Sequence, residues 1–128
     1  MSINRSRIAA VLALIIGAMA VFAGGRVLLG NDPGYYVIGW LPVYNFIIGL
    51  LSASLVAWLI WKQSRYAIPA AALVLVTHAV VMLILLIGYG DVVARDSIVA
   101  MTIRITTWVI ILALLAYPKR RKMDVIVQ

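Results

Sequence analysis

One arginine inside an apolar run is the residue of this sequence most suited to chemistry. Residues 97–117 are apolar apart from Arg104, which lies about 9 Å from the start of the run at 1.5 Å per helical residue. A guanidinium in hydrocarbon costs roughly 3 kcal/mol or more, so it must escape or find a polar partner. Three interpretations stay open. Arg104 snorkels outward or pairs with Asp91 or Asp96; it faces inward and binds an anion, a polar headgroup or a quinone carbonyl; or it contacts a partner subunit. Trp108, one turn further on, is placed for a cation–π contact with it.

His78, the single histidine, lies near the middle of the third apolar run. A neutral imidazole that is hydrogen-bonded to a neighbouring helix is the common role at such a position. A haem ligand is the alternative, but Met82 would share a helix face with His78 and cannot bind the opposite side of one iron. The sequence therefore predicts no cofactor and no metal site, with haem through His78 only where a partner supplies the second ligand.

Several polar or aromatic residues fall at similar depth in three different apolar runs. If each faces inward, they form one polar cluster that opens toward the outside, and this cluster is the best candidate ligand pocket. Its predicted members are Tyr44, Asn45, His78, Arg104, Thr107 and Trp108.

The elements that must position these residues are four apolar runs. The chain has 128 residues, of which 66% are hydrophobic and 12% charged, whereas soluble domains are about half apolar and a quarter charged. The runs cover approximately 8–29, 42–61, 66–89 and 97–117, and each is long enough to cross a bilayer. We expect an all-α integral membrane protein, a single domain over 1–128 that forms a four-helix transmembrane bundle.

The ends and the first connection of the predicted helices carry additional local signals. The first run also has the pattern of a secretory signal, with Ala18 and Ala20 as small residues, but it continues far enough to span, so a retained helix is favoured. Residues 35–41 are too apolar for a free loop and too few to span, so they lie in the interface or fold back over the helices. Asp96 or Ser97 is expected to cap the fourth helix, and Pro118 to end it.

The distribution of cations predicts the orientation. Eight fall on one side of the predicted bundle, and two, Arg26 and Arg95, fall on the other. The positive-inside pattern places both termini in the cytoplasm and the chain in the inner membrane. Because the cations flank apolar runs, the net charge of +7 indicates topology rather than nucleic-acid binding. The C-terminal block is a topology anchor that can also hold anionic lipid headgroups; it consists of Lys119, Arg120, Arg121 and Lys122.

Small residues four positions apart recur on the first two predicted helices. Such stripes let membrane helices approach closely, and they predict contact between helices one and two, or with another membrane subunit or a second copy of the chain. The stripes are Ala9, Ala13 and Gly17 on the first helix and Gly49, Ala53 and Ala57 on the second.

The function classes can be narrowed by what the sequence lacks. It has no cysteine, which excludes thiol oxidoreductases. No carboxylate lies within an apolar run, which disfavours proton coupling in a transporter, and the few candidates to line a pore disfavour a wide aqueous channel. The sequence favours a non-catalytic accessory subunit of a larger, possibly respiratory, membrane complex. The alternatives are a binder or carrier of a small amphiphile, a quinone or lipid, and a small transporter or channel; catalysis is not expected.

Overall fold

The computed structural model describes residues 3–127, and the side chains of residues 3–116, as an all-helical chain. The four helices are α1 (Ile3–Leu28), α2 (Leu41–Trp61), α3 (Ala67–Gly88) and α4 (Arg95–Val127). Each contains a segment long and apolar enough to cross a membrane, with mean hydropathy of 2.0 to 2.8. The prediction of four such helices is confirmed.

Successive helices are neighbours around the bundle. α1 packs against both α2 and α4, and α3 packs against α4. The backbone of α2 packs beside α3 mainly from Ser52 onward. The two helices therefore diverge toward the other end of the bundle, and side chains fill the wedge between them.

Glycines bring α1 and α2 together more closely than any larger residue would allow. A Cβ added at Gly17 would lie 2.7 Å from both the Ala53 nitrogen and the Gly49 oxygen. One added at Gly49 would lie 2.6 Å from the Gly17 oxygen and 2.8 Å from the Val21 nitrogen. Without a hydrophobic effect between helices, such backbone proximity is a main source of association in a bilayer.

α2 is interrupted by a π-helical segment, Ser52–Val56, which apolar periodicity does not predict. The Ala57 amide donates to the Ser52 carbonyl five residues back. Two serine hydroxyls also bond backbone carbonyls four residues back: Ser52 Oγ donates to Ile48 at 2.7 Å and Ser54 Oγ to Leu50 at 2.5 Å. Serines bonded in this way distort a helix, so they contribute to the wider turn.

Residues 29–40, which we call the strap, connect α1 to α2 and fold back over the bundle. Gly30 ends α1 with φ 95°, a conformation suited to glycine. Ile38 is only 3% exposed and packs with Leu85 and Met101. Trp40 Nε1 donates a 3.0 Å hydrogen bond to the hydroxyl of Tyr89, just past α3. Of the two expected placements for residues 35–41, the structure shows the fold back over the helices.

The opposite end of the bundle holds the starts of α1 and α3 and the end of α2, and we call it the terminal end. Ser6 is fully buried there, and its hydroxyl donates a 2.5 Å hydrogen bond to the Ile60 carbonyl. Cations stack on aromatic rings around it, with Arg7 over Trp61 at 4.9 Å and Lys62 over Trp58 at 3.9 Å. The Ser6 hydrogen bond and the stacking of Arg7 on Trp61 connect α1 to the end of α2, whereas the Lys62–Trp58 contact is local to that end.

Several predicted boundaries are wrong. α1 begins at Ile3 rather than residue 8, because basic residues such as Arg5 are good helix formers. α4 begins at Arg95, which leaves Asp96 and Ser97 in its first turn rather than at its cap. α4 also continues through Pro118 to Val127. One proline removes a single backbone hydrogen bond, and the lysines and arginines after it favour the helix.

Candidate functional site

Two polar pairs occupy the wedge between α2 and the helices opposite it. Arg104 Nη1 on α4 donates a 2.5 Å hydrogen bond to Asn45 Oδ1 on α2. The Tyr44 hydroxyl, also on α2, lies 2.6 Å from His78 Nδ1 on α3. Adjacent residues of α2 thus make side-chain contacts with two other helices where their backbones are apart.

Arg104 lies inside the bundle, with 5% of its surface exposed. The interpretation that it snorkels outward or pairs with Asp91 or Asp96 is wrong, because its hydrogen bond is to Asn45 and both aspartates are exposed at the strap end. Among the side chains of residues 3–116, no carboxylate lies within ion-pair distance of its guanidinium. Its one hydrogen-bond partner is a neutral amide, so the cation has no compensating negative charge from this part of the chain.

His78 is 2% exposed, and its ring meets that of Tyr44 edge to face with centroids 5.9 Å apart. This places it in the common role of a histidine bonded to a neighbouring helix. Its Nδ1 is occupied by the Tyr44 hydroxyl, so only Nε2 is left for another partner. Haem ligation with a partner's help stays a prediction. No group of three metal-ligating side chains lies together within the part of the chain whose side chains are described.

Thr107 does not join the polar cluster as predicted, whereas Trp108 lines the same space as His78 and Arg104. The Thr107 hydroxyl donates to the Ile103 carbonyl of its own helix at 2.8 Å, which satisfies it locally. Trp108 is fully buried in the apolar core beside Ile111. The expected cation–π contact between Trp108 and Arg104 is absent among the side chains of residues 3–116, where other arginines, such as Arg7 and Arg26, do stack on rings.

The space around the cluster differs on its two sides. Toward the terminal end, the space enclosed by Gly49, Ser52, His78 and Arg104 has no volume for even a water molecule. Toward the strap, a cavity of about 20 Å³ lies against Asn45. That volume suits one water molecule. The cluster is therefore closed toward the terminal end, and toward the strap it borders a cavity with room for a single water molecule.

The remaining predicted residues fall elsewhere. Gly17 and Gly49 face each other at the α1–α2 contact, and Ala9, Ala13 and Ala57 are buried. Ala53 is half-buried, with its backbone nitrogen against Gly17. The side chains of the predicted C-terminal anchor, Lys119, Arg120, Arg121 and Lys122, lie outside those that the structure describes.

Sequence reasoning missed the part that the strap plays at this site. Tyr35 and Val37 of the strap line the small cavity together with Asn45 and with Ser97 of α4. The signal that could have revealed this was the apolar character of residues 35–41. An apolar connection next to a predicted polar cluster is suited to fold over that cluster and cover it. Ser52 lines the same space as Arg104, and no separate signal in the sequence pointed to it.

Comparison of the chain with protein-family models, with curated proteins and with solved structures finds no match.

Proposed function

We propose that the protein spans the cytoplasmic membrane with both termini inside and binds a small amphiphile at Arg104. Support for the membrane comes from the surface of the bundle: only 22–39% of each candidate span is buried inside the protein. The remaining apolar surface far exceeds what a soluble monomer exposes. The eight-to-two distribution of cations supports the orientation.

The observation that favours a binding function is the buried, uncompensated charge of Arg104. An ionisable residue inside a membrane is rare and usually belongs to a ligand or ion site. Asn45 supplies one acceptor, while a guanidinium has five donors. No fully buried side-chain nitrogen in residues 3–116 lacks a hydrogen-bond partner, so the donors left for a ligand are those of Arg104 that keep some exposed surface. The ligand supplies acceptors for them through an anionic group or a carbonyl, as in a lipid headgroup or a quinone, and its apolar tail lies among the helices or in the bilayer.

The strap determines how such a ligand enters. The cavity beneath it is about 20 Å³, too small for a headgroup, so the strap must move before the ligand reaches Arg104. Two glycines with positive φ, Gly30 at 95° and Gly34 at 85°, lie near its start and middle. Rotation at these positions, with release of Ile38 and of the Trp40–Tyr89 hydrogen bond, opens the wedge from the strap end.

Fluorescence of Trp108 tests this proposal directly. Trp108 lies one helical turn from Arg104, and replacing the other three tryptophans by phenylalanine leaves it as the sole emitter. In detergent, we expect decylubiquinone to quench the Trp108 fluorescence of this variant saturably. Oleate, which carries a carboxylate, should compete with decylubiquinone and restore the fluorescence. Arg104→Gln keeps a hydrogen-bonding amide and removes the charge. Since hydrogen bonds to charged groups contribute about 1.5–3 kcal/mol, it should weaken binding at least tenfold.

Arg26→Gln is the matched control, because Arg26 is an exposed arginine on α1 at the strap end, stacked on Phe22. It should leave the quenching curve unchanged. The proposal is wrong if Arg104→Gln and its parent show the same curves for decylubiquinone and the same competition by oleate.

A non-catalytic subunit of a membrane complex is the second candidate. The small-residue stripes are weaker support for a subunit role than they were from the sequence alone, because Gly17 and Gly49 contact each other within the chain and leave less of the stripes for a partner. A groove of about 390 Å³ between α1 and α4 supports it more, with Ile110, Ala113 and Leu114 in its lining. A partner helix could fill this groove. A photo-crosslinker at position 113 should then capture one defined protein in native membranes; labelling of lipid alone would contradict this role.

A further inference from the structure

The structure contains a second groove, which shares no lining residue with the space around Arg104. It runs between α1 and α2 near the terminal end and has a volume of about 250 Å³. Its floor is formed by small residues, among them Ala10 and Ala57, and Leu14 and Ser54 line its sides. We call it the α1–α2 groove. Its width arises because the alanines lack the side chains that would fill it.

Two tryptophans line this groove, and each has a cation stacked on it. Trp58 and Trp61 both belong to the lining. Lys62 Nζ lies 3.9 Å from the ring centroid of Trp58, and Arg7 Cζ lies 4.9 Å from that of Trp61. Two positive charges from different helices are thus held beside one apolar groove.

Both cations are available for a further partner. A cation–π contact uses the face of the ring and leaves N–H donors to bind oxygen. Within residues 3–116, neither Arg7 nor Lys62 forms an ion pair with a carboxylate. Arg7 is exposed, and so is Lys62. The site therefore combines an apolar groove with two cations that form no ion pair among the described side chains.

We propose that the α1–α2 groove is a binding site for one anionic phospholipid. The phosphate binds between Arg7 and Lys62, and one acyl chain lies in the groove over Ala57 and beside Ser54. Charge complementarity selects an anionic over a zwitterionic lipid, since juxtamembrane cations contribute to such binding individually. The tryptophans lie at headgroup depth, where their amphipathic rings are commonly found. This site is separate from the one at Arg104 and does not depend on it.

Native mass spectrometry of the full chain in detergent tests the site with defined lipids. We expect palmitoyl-oleoyl phosphatidylglycerol to be retained at least tenfold more tightly than palmitoyl-oleoyl phosphatidylcholine. Loss of one cation should weaken retention of phosphatidylglycerol about fivefold, and the double variant Arg7→Gln/Lys62→Gln about 30-fold. Both residues are exposed, and the buried Ser6–Ile60 hydrogen bond between α1 and α2 remains in the double variant, so the helices should stay assembled, which far-UV circular dichroism checks.

Arg65→Gln is the matched control. Arg65 is an exposed cation at the same end, but it stacks at 5.0 Å on Tyr66, which does not line the groove, whereas Arg7 and Lys62 stack on tryptophans that do. Its loss should change retention less than twofold. An equal effect of Arg65→Gln and of the double variant would show general attraction to basic residues and overturn the proposal.

Ser54→Leu tests the groove independently of charge. Ser54 is exposed, and its hydroxyl bonds only its own helix, so leucine fills the groove without removing a contact between helices. We expect at least fivefold weaker retention of phosphatidylglycerol. Glycerol 3-phosphate, which has the anion without acyl chains, should not be retained at the same concentration. Retention of glycerol 3-phosphate equal to that of the lipid, or a dimer of the chain that Ser54→Leu abolishes in place of a lipid adduct, would refute the site.

Discussion

The close contact of α1 and α2 predicts a large effect for the smallest substitution of Gly49. In Gly49→Ala, the new Cβ would lie 2.6 Å from the Gly17 oxygen and 2.8 Å from both Ala20 Cβ and the Val21 nitrogen. Two of these three atoms belong to the α1 backbone, so no side-chain rotation relieves the contact. Reaching the 3.4 Å of ordinary contact from 2.6 Å requires the helices to part by about 0.8 Å.

The energy follows from that displacement. A gap of 0.5–1 Å forfeits roughly a quarter to a half of the dispersion attraction between facing atoms. Overpacking of this kind costs about 1–3 kcal/mol, and the unyielding backbone favours the upper half of that range. The better helix propensity of alanine returns at most about 1 kcal/mol. We expect Gly49→Ala to lower the free energy of unfolding by about 2 kcal/mol.

Reversible unfolding in mixed micelles, with increasing mole fraction of dodecyl sulfate and circular dichroism as the readout, measures this difference. Gly25→Ala is the control, because Gly25 is also on α1 but its added Cβ would meet only the Phe46 ring at 3.7 Å, an ordinary contact. That variant should be as stable as the parent or slightly more so. If the two variants unfold at the same mole fraction, the packing argument fails.

Two further predictions concern the strap and the orientation. Ile38→Ala removes a buried side chain from between the strap and the bundle, so it should cost about 2–4 kcal/mol and speed amide exchange in residues 29–40; unchanged exchange there would mean that Ile38 does not hold the strap. Because the chain has no cysteine, single replacements report which side each connection faces: an impermeant maleimide should label Asn31→Cys in intact cells and Ser64→Cys only after permeabilisation, and the reverse result would invert the proposed orientation.

The number of helices followed from the sequence because it depends on a property that every residue of a run shares. Four stretches of some 20 apolar residues are each long enough for one membrane-spanning helix, and errors at boundaries such as Ile3 do not change the number of helices. The approach of α1 and α2 was also within reach. Small residues four apart lie on one helix face, and Gly17 and Gly49 meet as that spacing requires.

The candidate site was less predictable because it depends on the rotation of each helix about its axis. Depth placed Asn45 and Arg104 near each other, and they are hydrogen-bonded. Depth placed Thr107 there too, yet its hydroxyl bonds its own backbone. Arg104 escaped the expected outward path because Asn45 offers an acceptor inside the bundle. No count of apolar residues distinguishes these outcomes, since each depends on contacts between helices.

The π segment determines the directions in which the two halves of α2 face. One extra residue in a helical turn rotates everything after it by about 100° relative to an uninterrupted α-helix. Asn45 and Gly49 precede the segment Ser52–Val56, and the two outward-facing tryptophans follow it. Converting this segment to a regular α-helix without removing any residue would preserve the number of apolar residues in α2 while turning its aromatic side by more than a quarter of a circle. The two halves of α2 would then no longer suit their separate neighbours, although a hydropathy profile would register almost no difference.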